Sequence, residues 1–425
     1  MATIITRKLA VAAIAVMAVA ATADWGARHT KGRASAASYE RALLAWNSSE
    51  NRVAINRPAF YDRNGSALAP DVGSKHYYVS LSGRDSNDGS LKRPLATITK
   101  AAKLATPGTT IHVLPGTYEG EILTKASGAD GRRIVYISEQ KWGAKLRTSK
   151  VGDTSVHWDN YGDYVDIVGF DLSGVHSYGI YNRGSYVRVI NNHVHDYTQV
   201  ACGKGGAGIE HGARNAKYSG HDNDTIGNTV HNIRPPVDCK QAHGVGIYHA
   251  VAGGHIYNNV VYNTGKSGIQ MWHAATRVIV ANNTVFDNRW SGILVGNEGM
   301  CCGSSTGVND NTVVVNNIVF ANGRDGIEEY GETGKHNVYA QNLAYGNKRM
   351  NVHLQNGLAA LDTVTAHPGF VKYDPSSDGG DYRLRPKSPA IGKCTRLGAP
   401  LYDINGQPRF RSSNCSLGAY ESTGN

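Results

Sequence analysis

The chain has 425 residues, with 44 Lys and Arg against 34 Asp and Glu, a formal net charge of +10, and 50 glycines. A basic surface favours anionic partners through long-range attraction, but the absence of any basic run or recognition-helix pattern argues against nucleic acid. No segment carries the ~18 uninterrupted apolar residues of a membrane span.

At the N-terminus, Arg7 and Lys8 precede an apolar stretch from Leu9 to Ala21, and Ala21-Thr22-Ala23 is a small-x-small cleavage site. Residues 1–23 therefore read as a signal peptide, and the protein is expected to be secreted or extracytoplasmic. Losing Arg7 and Lys8 lowers the net charge to +8. Residues 24–74 lack any periodicity and read as an arm, partly disordered. Next, Leu95, Ile98, Ala101, Ala102 and Ala105 share one face of a helix that Thr106-Pro107-Gly108 ends. Upstream of that helix, Asp85-Ser86-Asn87-Asp88-Gly89 is one residue short of a calcium loop and has no closing glutamate, so a tight turn is expected.

About 400 residues ordinarily suggest two or three domains, but internal repeats override that prior. A Gly-Ile core recurs at Ile180, Ile209, Ile247, Ile269, Ile293 and Ile327, with Val352 a degenerate seventh, at intervals of 29, 38, 22, 24, 34 and 25 residues. A second motif, apolar residues leading into an asparagine, places Asn192, Asn228, Asn259, Asn283, Asn317 and Asn342 at intervals of 36, 31, 24, 34 and 25. The shortest intervals suit one coil of short strands, and the longer ones imply inserted loops. Stacked coils repeat about every 4.8 Å. The asparagines suit bends, tolerate left-handed backbone, and can bond one another along a ladder.

The two registers, the entry segment HYYVSLSGRDSNDGSLKRPLATITKAAKLATPGTTIHVLPGTYEGEI, and the closing DYRLRPKSPAIGKC, DINGQPR and LGAYE resemble the pectate-lyase-like superfamily. The resemblance runs from about Lys75 to the C-terminus. It implies an all-β fold: a single-stranded right-handed parallel β-helix with the N-terminal helix capping its open end. Residues 75–425 form this domain, with 75–163 the cap and first coils, 164–356 the regular repeats with inserted loops, and 357–425 the C-terminal coils and cap. Fold does not by itself assign function.

If the repeated Ile faces inward, the next residue faces out: Tyr181, Glu210, Tyr248, Gln270, Leu294, Glu328 and His353. Two further on come Arg183, Gly212, Ala250, Trp272, Gly296, Tyr330 and Gln355, again outward. Between them, Asn182, His211, His249, Met271, Val295, Glu329 and Leu354 suggest an inward phase. The outward set mixes aromatics, amides, acids and a cation, as sugar recognition requires.

Cys202 lies seven residues before Ile209 and Cys239 eight before Ile247, so the shared phase predicts a Cys202–Cys239 disulfide pinning two loops into a groove wall. Cys394 with Cys415, and the adjacent Cys301 and Cys302, are the other expected pairs. The loop Glu298 to Gly307 supplies the opposite wall. The site is placed between these walls, around Glu210, His243, Tyr248, His249, Lys266, Gln270, Trp272 and His273.

The resemblance points to a lyase acting on an acidic, uronic-acid polysaccharide as a monomer. Such β-elimination removes the C5 proton and expels the C4 oxygen. It needs a base, donors for the charge growing on the carboxylate, and a proton for the leaving group. Lys266, His243, Tyr248 and His249 are the candidate catalytic residues. Arg183, Glu210, His211, Arg214, Lys240, Gln270, Trp272, His273, Asn297, Glu328 and Tyr330 are the candidate substrate contacts. Hydrolysis needs two carboxyls ~5–10 Å apart; Glu210 and Glu328 are four coils apart, while Glu298 or Asp325 with Glu328 is closer. Epimerisation begins with the same proton abstraction, and a glycan-binding solenoid without catalysis is the third class. Many pectate-lyase relatives hold calcium with clustered aspartates; Asp222, Asp224 and Asp238 are the nearest approach here. Calcium stays an open ligand, and no cofactor is assigned. The histidines between 193 and 273 show no compact zinc spacing, so no metal site is expected.

Overall fold

The computed structural model describes residues 75–149, 156–198, 205–213, 218–235, 243–298, 300–301, 304–305, 307–396, 398–410 and 415–422. The signal segment 1–23, the arm 24–74, Cys202, Cys239, Cys302, the Cys301 side chain, Arg214, Asp238 and Lys240 lie outside this description.

Each turn of chain lays one strand in each of three parallel sheets. Sheet A has eleven strands, from Lys75–Val79 to Ala360–Leu361. Sheet B has nine, from Gly116–Glu119 to Leu343–Tyr345, and sheet C has nine, from Ile122–Thr124 to Val352–His353. The chain visits A, then B, then C, and every strand pairs with its counterparts in the coils before and after it. This is a parallel β-helix. The repeated isoleucines form one column: Ile180 pairs with Ile209, then Ile247, Ile269, Ile293 and Ile327 follow in register. All six are fully buried.

The asparagine motif marks the corner between sheets A and B. Asn192 Nδ2 donates to Asn228 Oδ1 (3.1 Å), and the chain continues through Asn259, Asn283, Asn317 and Asn342 at 2.9–3.0 Å. Each amide also donates to a strand carbonyl, as Asn259 does to Thr225 (2.9 Å). The left-handed residue is the one before the ladder: Asn191, Asn258, Asn282 and Asn316 have φ between 54° and 61°. The two adjacent asparagines thus divide the work, the first bending the backbone and the second filling the corner. A second ladder, which the sequence reading did not separate, runs from Asn288 through Asn322 to Asn347 at the corner between sheets B and C.

The glycine of each Gly-Ile pair has a packing cause. A Cβ on Gly246 would come within 2.4 Å of Val261 Cγ1, and one on Gly292 within 2.3 Å of Val319 Cγ1. Sheet C therefore closes on sheet B only where the side chain is missing.

The helix Ile98–Leu104 covers the N-terminal end. Thr97 caps it by accepting from Lys100 N, and Ile98, Ala101 and Ala102 are buried in the main core. Asp85 accepts from the backbone N–H of Ala96 and Thr97 (both 3.0 Å). The turn it begins therefore serves the cap.

Beyond Leu361 the three sheets end. Phe370–Lys372 pairs antiparallel with Asp381–Leu384, and the chain lies as a strap along the outside of sheet B. The reason is the outward column on that sheet: Tyr262, Phe286, Phe320 and Tyr345 align in register. Phe370, Tyr382 and Leu417 bury much of it. The expected Cys394–Cys415 disulfide ties the strap to itself, with Cα atoms 5.0 Å apart.

Asn259→Ala removes one rung and strands its partners on both sides; urea unfolding should show a loss of about 2–3 kcal/mol. An unchanged midpoint would contradict the ladder's structural role. Replacing Cys394 and Cys415 together by serine frees a 21-residue separation. Amide exchange in the strap should then report a local loss of about 3 kcal/mol, with the coils unaffected.

Candidate active site

Sheet C presents its outward column in register: Tyr181, Glu210, Tyr248, Gln270, Leu294, Glu328 and His353. At its middle lies a cleft of about 310 Å³ lined by Tyr178, Tyr181, Gly205, Gly206, Glu210, Tyr218, His243, Val245, Tyr248, Lys266, Gln270, Trp272, His273 and Glu298. Seven of the residues expected at the site meet here: Glu210, His243, Tyr248, Lys266, Gln270, Trp272 and His273.

Lys266 occupies the turn that leads into the strand Ile269–Met271 and is half-buried. Its Nζ lies 5.3 Å from the centre of the Trp290 ring. Burial pulls its pKa below the ordinary lysine value, and Glu298 pulls the other way. His243 is pushed down by burial and by Lys266. Glu210 is 8% exposed. Burial raises its carboxyl to about 8, against the opposing pull of a hydrogen bond from Tyr181 and the charge of Arg183. Burial also raises the phenols of Tyr178 and Tyr181. His273 adopts a left-handed backbone (φ 54°), stacks on Tyr218 with ring centres 4.2 Å apart, and is depressed by burial to about 4. Gln270 and His273 both line the cleft, and Gln270 Oε1 and His273 Nδ1 are buried with no hydrogen-bond partner.

The other expected residues fall elsewhere. His249 is fully buried inside the coil, where its Nε2 donates to Gly253 O (2.8 Å) and burial holds it near 4. His211 is likewise inside, between Asn182 Nδ2 (3.0 Å) and Thr225 Oγ1 (2.9 Å). Both obey the inward phase of their strand position, which overrides their chemistry as surface groups. Asn297 is buried and donates to Gly307 O, closing the loop that begins at Glu298. Glu328, two coils beyond Gln270, is fully buried; it accepts from Ser291 Oγ and pairs with Arg324 at 2.8 Å. Burial against these partners excludes it as a surface contact and as a hydrolytic partner. Arg183 is held by Asp159 (2.8 and 3.2 Å) over the Tyr181 ring. Tyr330 is exposed at the rim, 6.0 Å from Trp272 between ring centres.

Residues 77–360 match the Pel9A-like right-handed β-helix region. The chain belongs to that family. Among solved structures, pectate lyase Pel9A superposes with a TM-score of 0.57 at 17% identity, covering 85% of this chain and 100% of that one. A rhamnogalacturonan lyase gives a TM-score of 0.47 at 14% identity, over 76% and 97%. The uncharacterized protein YwoF of Bacillus subtilis (strain 168) is 39% identical over 69 residues, which are 16% of this chain and 15% of its own length. At these identities the structural likeness shows the fold alone.

The cleft of this Pel9A-like β-helix contains residues that repeat counting missed. Tyr178 starts its strand at a corner, where alternation does not predict direction, and Tyr218 lies on an insertion with no period. The described lining does not fit a calcium cage. Asp222 and Asp224 sit on sheet A, where Asp224 accepts from His255 (2.8 Å). The two carboxyls that do line the cleft include Glu210, which stays protonated to about 8; calcium asks for six to eight oxygens, usually with ionised carboxylates among them.

Because Glu210 binds its proton more tightly folded (about 8) than at its ordinary 4.5, stability falls as pH rises through that interval. Glu210→Gln should flatten this fall in melting temperature between about pH 4.5 and 8. Parallel wild-type and variant curves would contradict the buried neutral carboxyl.

Proposed function

We propose that the protein is an exported polysaccharide lyase that cleaves a uronic-acid glycan by β-elimination in the sheet C cleft, with Lys266 as the base. The observation that carries this is the placing of a half-buried, downshifted lysine in one cleft with a protonated carboxyl and several phenols. Burial lowers the Lys266 pKa, which favours the neutral amine needed to take the C5 proton. As the C5–H bond breaks, electrons flow toward the sugar carboxylate, the C4–C5 double bond forms, and the C4–O bond breaks. Charge growing on that carboxylate needs donors. Glu210, neutral up to about pH 8, donates where an ionised carboxylate would repel, as a buried acid does in other enolising sites. Tyr248, next to Glu210 in register, supplies the proton to the leaving oxygen. Trp272 and Gln270, which line the cleft, contact the sugar ring and its hydroxyls. The family match and the likeness to pectate lyase Pel9A support this reading.

One observation favours a second reading. Glu210, raised by burial, and the exposed Glu298 both line the cleft, and a glycosidase uses two carboxyls in unequal surroundings as acid and base.

Incubating the protein with a panel of polyuronates separates the two. New reducing ends with absorbance from the unsaturated product mark the lyase, and reducing ends alone mark the hydrolase. Lys266→Met should lower the lyase rate by about 10²–10⁴-fold with an unchanged melting curve, and Tyr248→Phe should lower it too. Full activity in both variants would refute this assignment.

A further inference from the structure

We infer that sheet B carries a transition-metal site, formed by His193, His231 and Asp378, that clips the C-terminal strap onto the coils. It lies on a different sheet from the cleft and does not depend on the reaction proposed there.

His193 and His231 stand on adjacent coils of sheet B, and their Nε2 atoms face each other at 2.8 Å. At the other side of its ring, His193 Nδ1 lies 2.9 Å from Asp171 Oδ2. That carboxylate keeps the proton on Nδ1 and leaves the Nε2 lone pair directed at His231, the arrangement that prepares a histidine to bind metal. His231 is buried, and its Nδ1 has no partner. With no ion, one of the two facing Nε2 atoms must carry the proton that the other accepts. With an ion between the rings, His231 carries its proton on Nδ1 and both Nε2 lone pairs bind the ion.

The third donor comes from the strap. Asp378 Oδ1 lies 3.5 Å from His231 Nε2, across 147 residues of chain. Both rings are held in place: Trp142 packs on His193 (4.7 Å between ring centres) and Tyr262 on His231 (4.6 Å). His195 belongs to the same group of closely placed ring nitrogens. It stacks face to face on His193 at 4.0 Å and is tied to Asp196 and Asp171. Two parallel rings cannot aim in-plane lone pairs at one ion, so His195 buttresses the pair. Arg147 occupies the other oxygen of Asp171, which makes that acid an orienting group.

Two imidazoles and one carboxylate suit Zn²⁺ or a similar borderline ion and are wrong for calcium or magnesium. Two zinc-bound nitrogens in a tetrahedral site sit about 3.3 Å apart, so the rings open by roughly half an ångström. The histidine spacing in the sequence hid this site because its donors come from two coils and the strap.

The test uses untagged full-length protein stripped with chelator. Calorimetric titration with zinc chloride should show one ion per chain and a rise in melting temperature. Asp378→Asn changes an exposed side chain and should keep the fold while weakening zinc binding at least tenfold; His193→Asn should do the same. No stoichiometric uptake, or uptake that both variants leave unchanged, would overturn the site.

Discussion

Every feature of this molecule depends on consecutive coils stacking in strict parallel register at about 4.8 Å. A slip of one residue would turn each sheet C strand over, sending the isoleucines out and the cleft residues in. The fully buried asparagine ladder is what makes such a slip costly. Each of its amides bonds to the next and to a strand carbonyl, so a displaced coil would leave several buried polar groups unpaired at once. The isoleucine column supplies apolar burial without direction; the amides supply the register.

Register then decides which polar residues can act. Along sheet C, neighbours in sequence differ completely in role: Glu210 lines the cleft while His211 is sealed inside the coil, and Tyr248 lines it while His249 is sealed. The cleft itself is half-dry. That dryness lowers the lysine, raises the carboxyl and raises the phenols, all by the same penalty on charge.

Much of this was legible in the residues. The Ile and Asn spacings gave the columns, and the family resemblance gave the handedness. The Cys394–Cys415 pair was readable because Cys394 ends one closing motif and Cys415 lies just before another, LGAYE. The inward phase of His211 and His249 was also visible in the apolar members of their column, Met271 and Val295, yet both were still weighed as site residues. Glu328 shares the outward phase with Glu210, and nothing in a repeat shows that Arg324 and Ser291 will bury it. Tyr178 at a corner and Tyr218 on an insertion escape any period. The strap was hidden because its cause, the uncovered aromatic column of sheet B, exists only once the coils are stacked.

The fold thus turns a one-dimensional repeat into a line of chemically different side chains, with a cleft at its middle where Lys266, Glu210 and Trp272 meet. A crystal structure of the Lys266→Met protein soaked with an acidic oligosaccharide tests this most directly. The account predicts a uronate in the sheet C cleft, its carboxylate bonded to Glu210 and its C5 facing position 266. An oligosaccharide bound on another sheet, or with its carboxylate turned away from Glu210, would contradict it.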